Sequence, residues 1–162
     1  MSRNNKQAPA AALGGGDAKF VFRKRLFRRP QEISTDPVEY GLLYAQAVHS
    51  VVRVDEFPVS DKVALQLAGL QAQVMWGDAS EKNLSRYEEV EGYLSFRIRG
   101  MYPNRTKEEW MRELLAAHKE FGNGKTDLQA KVLYLTAVKQ YPLYGGTFFD
   151  VQYKGFWAHP NR

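Results

Sequence analysis

The sequence predicts a mainly α fold, a bundle of four helices with a single β-strand on either side. Three observations lead to this prediction. Apolar residues recur at helical spacing in four separate stretches, and residues that favour helix N-termini come before these stretches. Short aromatic and β-branched stretches stand before the first helix and after the last. With 162 residues, of which 44% are hydrophobic, the chain can bury one core of ordinary size.

The first two helices are predicted over residues 36–53 and 60–76. Asp36 is a favourable N-cap, and Pro37 fits the first helical turn, where its missing N–H costs nothing. Ser60 can cap the second helix in the same way. The apolar spacing predicts the inward faces, which are Val38, Leu42, Ala45, Val48 and Val52 in the first helix and Val63, Leu67, Leu70 and Val74 in the second.

The last two helices are predicted over residues 106–121 and 126–141. Each begins with a capping box. In this motif the hydroxyl of the first residue accepts from the backbone N–H three residues later, and the side chain of that later residue accepts from the backbone N–H of the first. The two boxes are Thr106 with Glu109 and Thr126 with Gln129. The predicted inward faces are Trp110, Leu114, Ala117 and Phe121 in the third helix and Leu128, Val132, Leu135 and Val138 in the fourth.

The segment between the second and third helices carries weaker signals. Residues 87–93 are predicted to form a short helix. Residues 93–98 alternate like a strand, and we predict that they pack as extended chain under the helices.

The two ends of the chain differ from the helical part in composition. Residues 1–18 are polar, then rich in alanine and glycine, and are predicted to be a disordered tail. Residues 19–27 and 147–153 are aromatic and β-branched, and each is predicted to be a strand. A lone strand needs partners in a sheet, so both strands are predicted to belong to incomplete neighbouring lobes.

Motifs from four parts of the chain carry a resemblance to a known family. They are Phe20-Val21-Phe22-Arg23-Lys24; Asp36-Pro37-Val38 with Leu42-Leu43-Tyr44; Leu67-x-Gly69-Leu70-Gln71-Ala72-Gln73; and Thr106-x-x-Glu109-Trp110 with His118, Ala130, Tyr134-Leu135, Tyr144-Gly145 and Phe148-Phe149. In this order, over residues 19–153, they resemble the FERM domain, and most of all the FERM domains of unconventional myosin tails and of talin.

The resemblance implies a division of the chain into lobes. Residues 19–35 resemble the last strand of a truncated ubiquitin-like lobe and a basic linker. Residues 36–144 resemble the central helical lobe, which implies a bundle like that of acyl-CoA-binding protein. Residues 145–162 resemble the first strand of a truncated pleckstrin-like or phosphotyrosine-binding-like lobe. We therefore expect the sequence to be a fragment, a truncated isoform or an imperfect gene prediction.

The resemblance also implies a function. It implies a non-enzymatic interaction module that links membrane or cargo proteins to the actin cytoskeleton in a myosin-like or talin-like protein. Its expected partners are membrane-receptor tails or cargo, cytoskeletal proteins and anionic phospholipid. Its expected place is the cytoplasm, on the cytoskeleton or beneath the plasma membrane. The alternatives are a targeting segment of a FERM-bearing tyrosine kinase or phosphatase and, from the bundle alone, acyl-CoA binding.

The residues themselves offer no catalytic, metal or cofactor site. The chain has no cysteine, which excludes a thiol nucleophile and a cysteine-based zinc site. His49, His118 and His159 lack the spacing of metal ligands, and we predict that His118 has a structural role. No run of about 18 apolar residues predicts a membrane span.

The net charge of +5 has an uneven distribution along the chain. Residues 19–35 carry a net charge of +5, whereas residues 36–162 carry −1. A basic segment on a nearly neutral body argues against nucleic-acid binding, which needs cations spread over a face. The candidate site residues for anionic lipid or an acidic partner are Lys24, Arg25, Arg28 and Arg29. The alternatives are that this segment is a localisation signal, or that its cations belong to the strand and linker and meet acidic groups of neighbouring lobes.

Overall fold

Five α-helices lie in residues 36–56 and 58–142, the part of the chain that the computed structural model describes. They are α1 Pro37–Val48, α2 Asp61–Trp76, α3 Phe96–Gly100, α4 Lys107–Ala117 and α5 Asp127–Lys139. Wider π-helical turns continue α1 over His49–Val54 and α4 over His118–Gly122, and 3-10 helices span Glu81–Tyr87 and Val90–Gly92. This part of the chain contains no strand, which confirms the mainly α prediction. The two predicted strands lie outside the described residues.

The helices begin where their capping residues predict. The Ser60 hydroxyl accepts a hydrogen bond from the Val63 N–H at 3.3 Å at the start of α2. Both capping boxes form in full, one at the start of α4 and one at the start of α5. Each box satisfies two backbone donors that the helix itself cannot pair. Local sequence therefore fixes the ends of these helices before any packing is considered.

Helix α2 is the centre of the bundle and packs against α4, its π-helical continuation and α5. Its small residues let these neighbours approach closely, since Ala64, Ala68 and Ala72 are all buried. The closest approach is at Gly69, where an added Cβ would lie 2.4 Å from the carbonyl oxygen of Ala117. The backbones of α2 and α4 therefore touch, and the core forms around this crossing.

The prediction for the inward face of α1 is wrong at its first turns. Val38 and Leu42 are 69% and 67% exposed, and Ala45 is exposed as well. The buried face of α1 consists of Tyr40, Leu43, Tyr44 and Ala47. Two apolar stripes run side by side along this helix, and the bundle buries the one with the larger aromatic side chains. Tyr44 packs edge-on against Tyr134 of α5, with 5.2 Å between the ring centres.

The prediction for residues 93–98 is also wrong, because Phe96–Gly100 is the helix α3. The Ser95 hydroxyl caps it by accepting from the Ile98 N–H. Leu94 and Ile98 are buried, as the predicted packing under the helices requires, whereas Phe96 is 82% exposed. The helix predicted over residues 87–93 is only a short 3-10 turn at Val90–Gly92.

The faces of the other three helices agree with the prediction in most positions. The side chains of Leu67, Leu70, Trp110, Leu114 and Leu135 are buried. Val132 is partly buried against the core, and Leu128 is the exception because it is 53% exposed.

Candidate functional site

A buried chain of polar groups ties the elements of the bundle together at His118. The His118 ring is fully buried; its Nδ1 lies 2.7 Å from the Tyr87 hydroxyl and its Nε2 lies 2.8 Å from the Gln73 Oε1. Gln73 Nε2 donates to the Asp78 carboxylate at 2.9 Å and to the Lys125 carbonyl at 2.8 Å. The network joins α2, the first 3-10 helix, the end of α4 and the turn before α5.

The network fixes the tautomer of the imidazole. Because Gln73 uses its nitrogen for two donated bonds, its oxygen must accept, so His118 Nε2 carries the hydrogen. Nδ1 then accepts from the Tyr87 hydroxyl. Burial is the main cause that lowers the pKa of His118, and the charge of Arg86 acts in the same direction. The ring is therefore held neutral, which confirms the predicted structural role of His118.

A groove lies on the surface between the C-terminal half of α2 and the segment 85–93. Its volume is about 460 Å³, and we call it the Trp76 groove. The residues that line it include Gln71, Met75, Trp76, Arg86, Glu89 and Tyr93. The Trp76 indole N–H donates to the Tyr93 hydroxyl at 2.8 Å, and this hydroxyl donates to the Arg86 carbonyl at 3.1 Å. The indole is thus fixed in place although it is 43% exposed.

A second groove, of about 610 Å³, runs along the outer face of α5. Leu128 and Leu133 are its exposed apolar residues, and Val132 lies between them. Lys125 stands at its end. This groove is more apolar than the Trp76 groove and carries fewer groups that could orient a partner.

The four candidate site residues of the basic segment, Lys24, Arg25, Arg28 and Arg29, lie outside the described residues, as does His159. His49 is half-buried, within the π-helical turn after α1. Within residues 36–56 and 58–142, no group of three or more His, Cys, Asp or Glu side chains could hold a metal ion. The structure therefore does not test the predicted site in the basic segment.

Trp110 belongs to the core and not to a ligand pocket, as its helical stripe predicts. It is 6% exposed, and the Tyr102 ring packs edge-on against it at 5.7 Å. The Arg105 guanidinium lies 4.4 Å from both of these ring centres and pairs with Glu113 at 2.7 Å. These contacts leave Trp110 no open space for a ligand.

Sequence reasoning missed the Trp76 groove. The signal available was a large aromatic side chain next to Gly77 at the end of α2, which the sequence analysis treated only as a helix end. Tyr93, 17 residues later, belongs to the segment with the weakest periodicity. Spacing along the chain could not reveal that the two rings share a hydrogen bond.

Comparison with known proteins agrees with this architecture. The family model of the FERM central domain matches residues 30–149. This chain belongs to the FERM family. The FERM domain-containing protein B of Dictyostelium discoideum is 32% identical over 113 residues. Talin-1 of Gallus gallus is 31% identical over 136 residues, and the kinesin-like protein KIN-14I of Oryza sativa subsp. japonica is 29% identical over 136 residues.

The shares of each chain that these matches cover are very unequal. The matches span 69%, 83% and 83% of this FERM chain, respectively. They span only 23% of the Dictyostelium protein, 5% of talin-1 and 10% of the kinesin-like protein. The likeness therefore concerns the FERM-type module and not the rest of those proteins. In the part of this chain that the structure describes, no helix is long and apolar enough to cross a membrane.

Proposed function

We propose that this FERM chain is a non-enzymatic interaction module that links membrane or cargo proteins to the actin cytoskeleton. The observation that carries the proposal is the contrast between its interior and its surface. Large side chains and a saturated histidine network fill the described core, while fixed aromatic and charged groups stand on the outside. Such an arrangement favours recognition by surface contact. The similarity to talin-1 supports the cytoskeletal part of the proposal.

The cargo part of the proposal draws support from a different relative. One similar protein is named as kinesin-like, so a related module occurs in a protein that is named after a motor protein. A module of this kind can attach a load without chemistry of its own. We propose a location in the cytoplasm, on the cytoskeleton or beneath the plasma membrane.

The basic segment supplies the proposed contact with the membrane or with an acidic partner. Lys24, Arg25, Arg28 and Arg29 are four of the six cations in residues 19–35, where a single acidic residue opposes them. Near an anionic surface, each cation contributes about 1 kcal/mol of attraction. Four to six cations together are enough to hold a module of this size on an anionic leaflet.

Cell fractionation tests the linkage. We expect the tagged 162-residue chain, expressed in animal cells, to sediment with the detergent-insoluble cytoskeleton. Depolymerising actin with latrunculin should release it into the supernatant. Recovery in the supernatant before treatment, or sedimentation that is indifferent to latrunculin, would contradict actin linkage.

A pair of matched variants shows whether the basic segment contributes to the linkage. Arg28→Glu with Arg29→Glu should lower the sedimented fraction. The control, Lys62→Glu with Arg112→Glu, changes the net charge equally at two exposed helix positions and should leave that fraction unchanged.

A further inference from the structure

Among the described residues that line it, the Trp76 groove carries more acidic than basic side chains. Its charged residues are the carboxylates of Glu88 and Glu89 and the guanidinium of Arg86. Glu88 forms an ion pair with Lys107 at 3.1 Å, between two exposed side chains. Glu89 forms no ion pair within residues 36–56 and 58–142, and its charge acts together with burial to raise the pKa of Tyr93. The negative charge of Glu89 is therefore open to a partner.

Arg86, the one cation among the described residues that line the groove, already has contacts within the chain. The Arg86 guanidinium lies 5.5 Å from the centre of the Trp76 ring. It also donates to the side-chain oxygen of Asn83 at 3.1 Å, when this amide is oriented so that its nitrogen reaches the Lys82 carbonyl. Arg86 thus covers part of the indole and contacts Asn83, and it forms no ion pair with Glu89.

A buried acceptor without a hydrogen-bond partner in the described part of the chain also lines the groove. Gln71 is 6% exposed, and its Nε2 donates to the Gly92 carbonyl at 2.8 Å, which fixes the orientation of the amide. Its Oε1 has no hydrogen-bond partner in the described part of the chain. The side chain of Met75, which is 52% exposed, lies over it with its sulfur 3.9 Å from Gln71 Nε2. Because the thioether is flexible, it can adapt its shape to the stem of an incoming side chain.

We propose that the Trp76 groove binds a lysine side chain from a basic segment of a partner protein. The methylene stem would pack on Met75 and the exposed part of the indole, and the ammonium would pair with Glu89. The hydrogen bond between Trp76 and Tyr93 holds the aromatic wall in place before binding, so little ordering entropy is lost there. This inference adds a class of partner to the proposed interaction module and rests on that function.

Titration with short peptides tests the groove. The probes are acetylated, amidated penta-lysine and penta-glutamate, and the readout is the indole N–H signal of Trp76 in a nitrogen–proton correlation spectrum. The chain has three tryptophans, so Trp76→Phe assigns the signal and the buried Trp110 serves as an internal reference. Penta-lysine should shift the Trp76 signal and leave that of Trp110 in place. A Trp76 signal that does not move, or that moves equally with penta-glutamate, overturns the proposal.

Two substitutions in the groove, each with a matched control, sharpen the test. Met75→Lys places a cation of the chain itself in the groove and should abolish penta-lysine binding. Met101→Lys makes the same change at a methionine that is 55% exposed outside this groove, and it should keep binding. Glu89→Gln should weaken binding roughly two- to fivefold, as expected for a partly solvated ion pair. Its control, Glu108→Gln in the first turn of α4, should not weaken it.

The outcomes separate this inference from the proposed function. Equal affinity of the Glu89→Gln and Glu108→Gln variants, or equal loss in the two methionine variants, overturns the groove as the binding site. Cytoskeletal sedimentation of the same variants is measured alongside. A chain that sediments normally but does not bind penta-lysine refutes the groove alone, whereas failure of sedimentation refutes the function.

Discussion

Two hydrogen bonds compensate for the burial of the His118 imidazole and fix its protonation state. Protonation would add a hydrogen at Nδ1, where the Tyr87 hydroxyl now donates, so this hydroxyl would have to turn away. Burial is the main cause that lowers the pKa of His118, and the positive charge of Arg86 adds to it, whereas the Gly77 backbone and the Asp78 carboxylate act in the opposite direction without outweighing burial. The charged form is therefore disfavoured in the folded state, and the pKa of His118 lies below its ordinary value.

This lowered pKa predicts how stability depends on pH. In the unfolded chain the pKa of the imidazole is about 6.5. Below this pH the unfolded state therefore binds a proton more readily than the folded state does. The free energy of unfolding thus has its full value above the unfolded pKa of His118. It falls as the pH drops from there toward the folded pKa. The slope of the free energy of unfolding against pH is at most about 1.4 kcal/mol per pH unit. Urea unfolding between about pH 7 and about pH 5 measures it.

Two variants separate titration from packing. His118→Asn should lower stability at neutral pH and flatten the slope, because the titrating group is gone. Tyr87→Phe should cost about 1–3 kcal/mol through an unsatisfied Nδ1 but keep most of the slope, because burial is the main cause of the lowered pKa. The account of His118 fails if the His118→Asn variant keeps the full slope.

At the scale of the element, α2 depends on a glycine for its closest packing. The crossing with the end of α4 leaves no room for a Cβ at Gly69, since the carbonyl carbon of Ala117 would be 2.7 Å away as well as the oxygen. Backbone atoms cannot turn aside as a flexible side chain can. The sterics of this crossing therefore outweigh the usual preference of a helix for alanine over glycine.

Two glycine substitutions should have effects of opposite sign. Gly69→Ala should destabilise the chain by about 1–3 kcal/mol, because the helices must move apart. Gly41→Ala in α1, where a Cβ would meet nothing within 4 Å, should stabilise it by about 0.5–1 kcal/mol. Thermal unfolding of both variants measures the difference. Stabilisation by Gly69→Ala would show that the two backbones do not touch.

The elements also show what the sequence could and could not predict. Caps are local chemistry, so the boxes at Thr106 and Thr126 placed α4 and α5 correctly. The face of α1 depends on which of two apolar stripes fits the neighbouring helices, and tyrosines at 40 and 44 fit better than Val38 and Leu42. Helix α3 is only five residues long, too short for periodicity to separate it from a strand.

The two candidate sites differ in how far the sequence alone could predict them. The basic segment is a matter of composition, so charge alone could predict Lys24, Arg25, Arg28 and Arg29 as candidates. The Trp76 groove forms where parts of the chain that are separate in sequence come into contact. Only the fold reveals that Trp76 meets Tyr93 and Glu89, because Trp76 ends α2 and the other two residues lie in a separate segment with weak periodicity.

At the scale of the whole molecule, charge is separated from the bundle. Residues 36–162 are nearly neutral, and the net charge of the chain resides in residues 19–35. The match to the FERM central domain begins at residue 30, at the end of this basic segment. We therefore expect attachment to anionic surfaces to depend on charge alone, without a shaped pocket.

Cosedimentation with lipid vesicles tests this central claim most directly. Surface attraction is screened over a Debye length of about 8 Å at physiological salt, so binding should require anionic lipid and fall steeply as salt is raised. Arg28→Glu with Arg29→Glu should abolish it, while Lys62→Glu with Arg112→Glu should retain it, and helical circular dichroism should be the same for all three chains. Vesicle binding that survives high salt, or that survives the reversal of Arg28 and Arg29, would contradict the account.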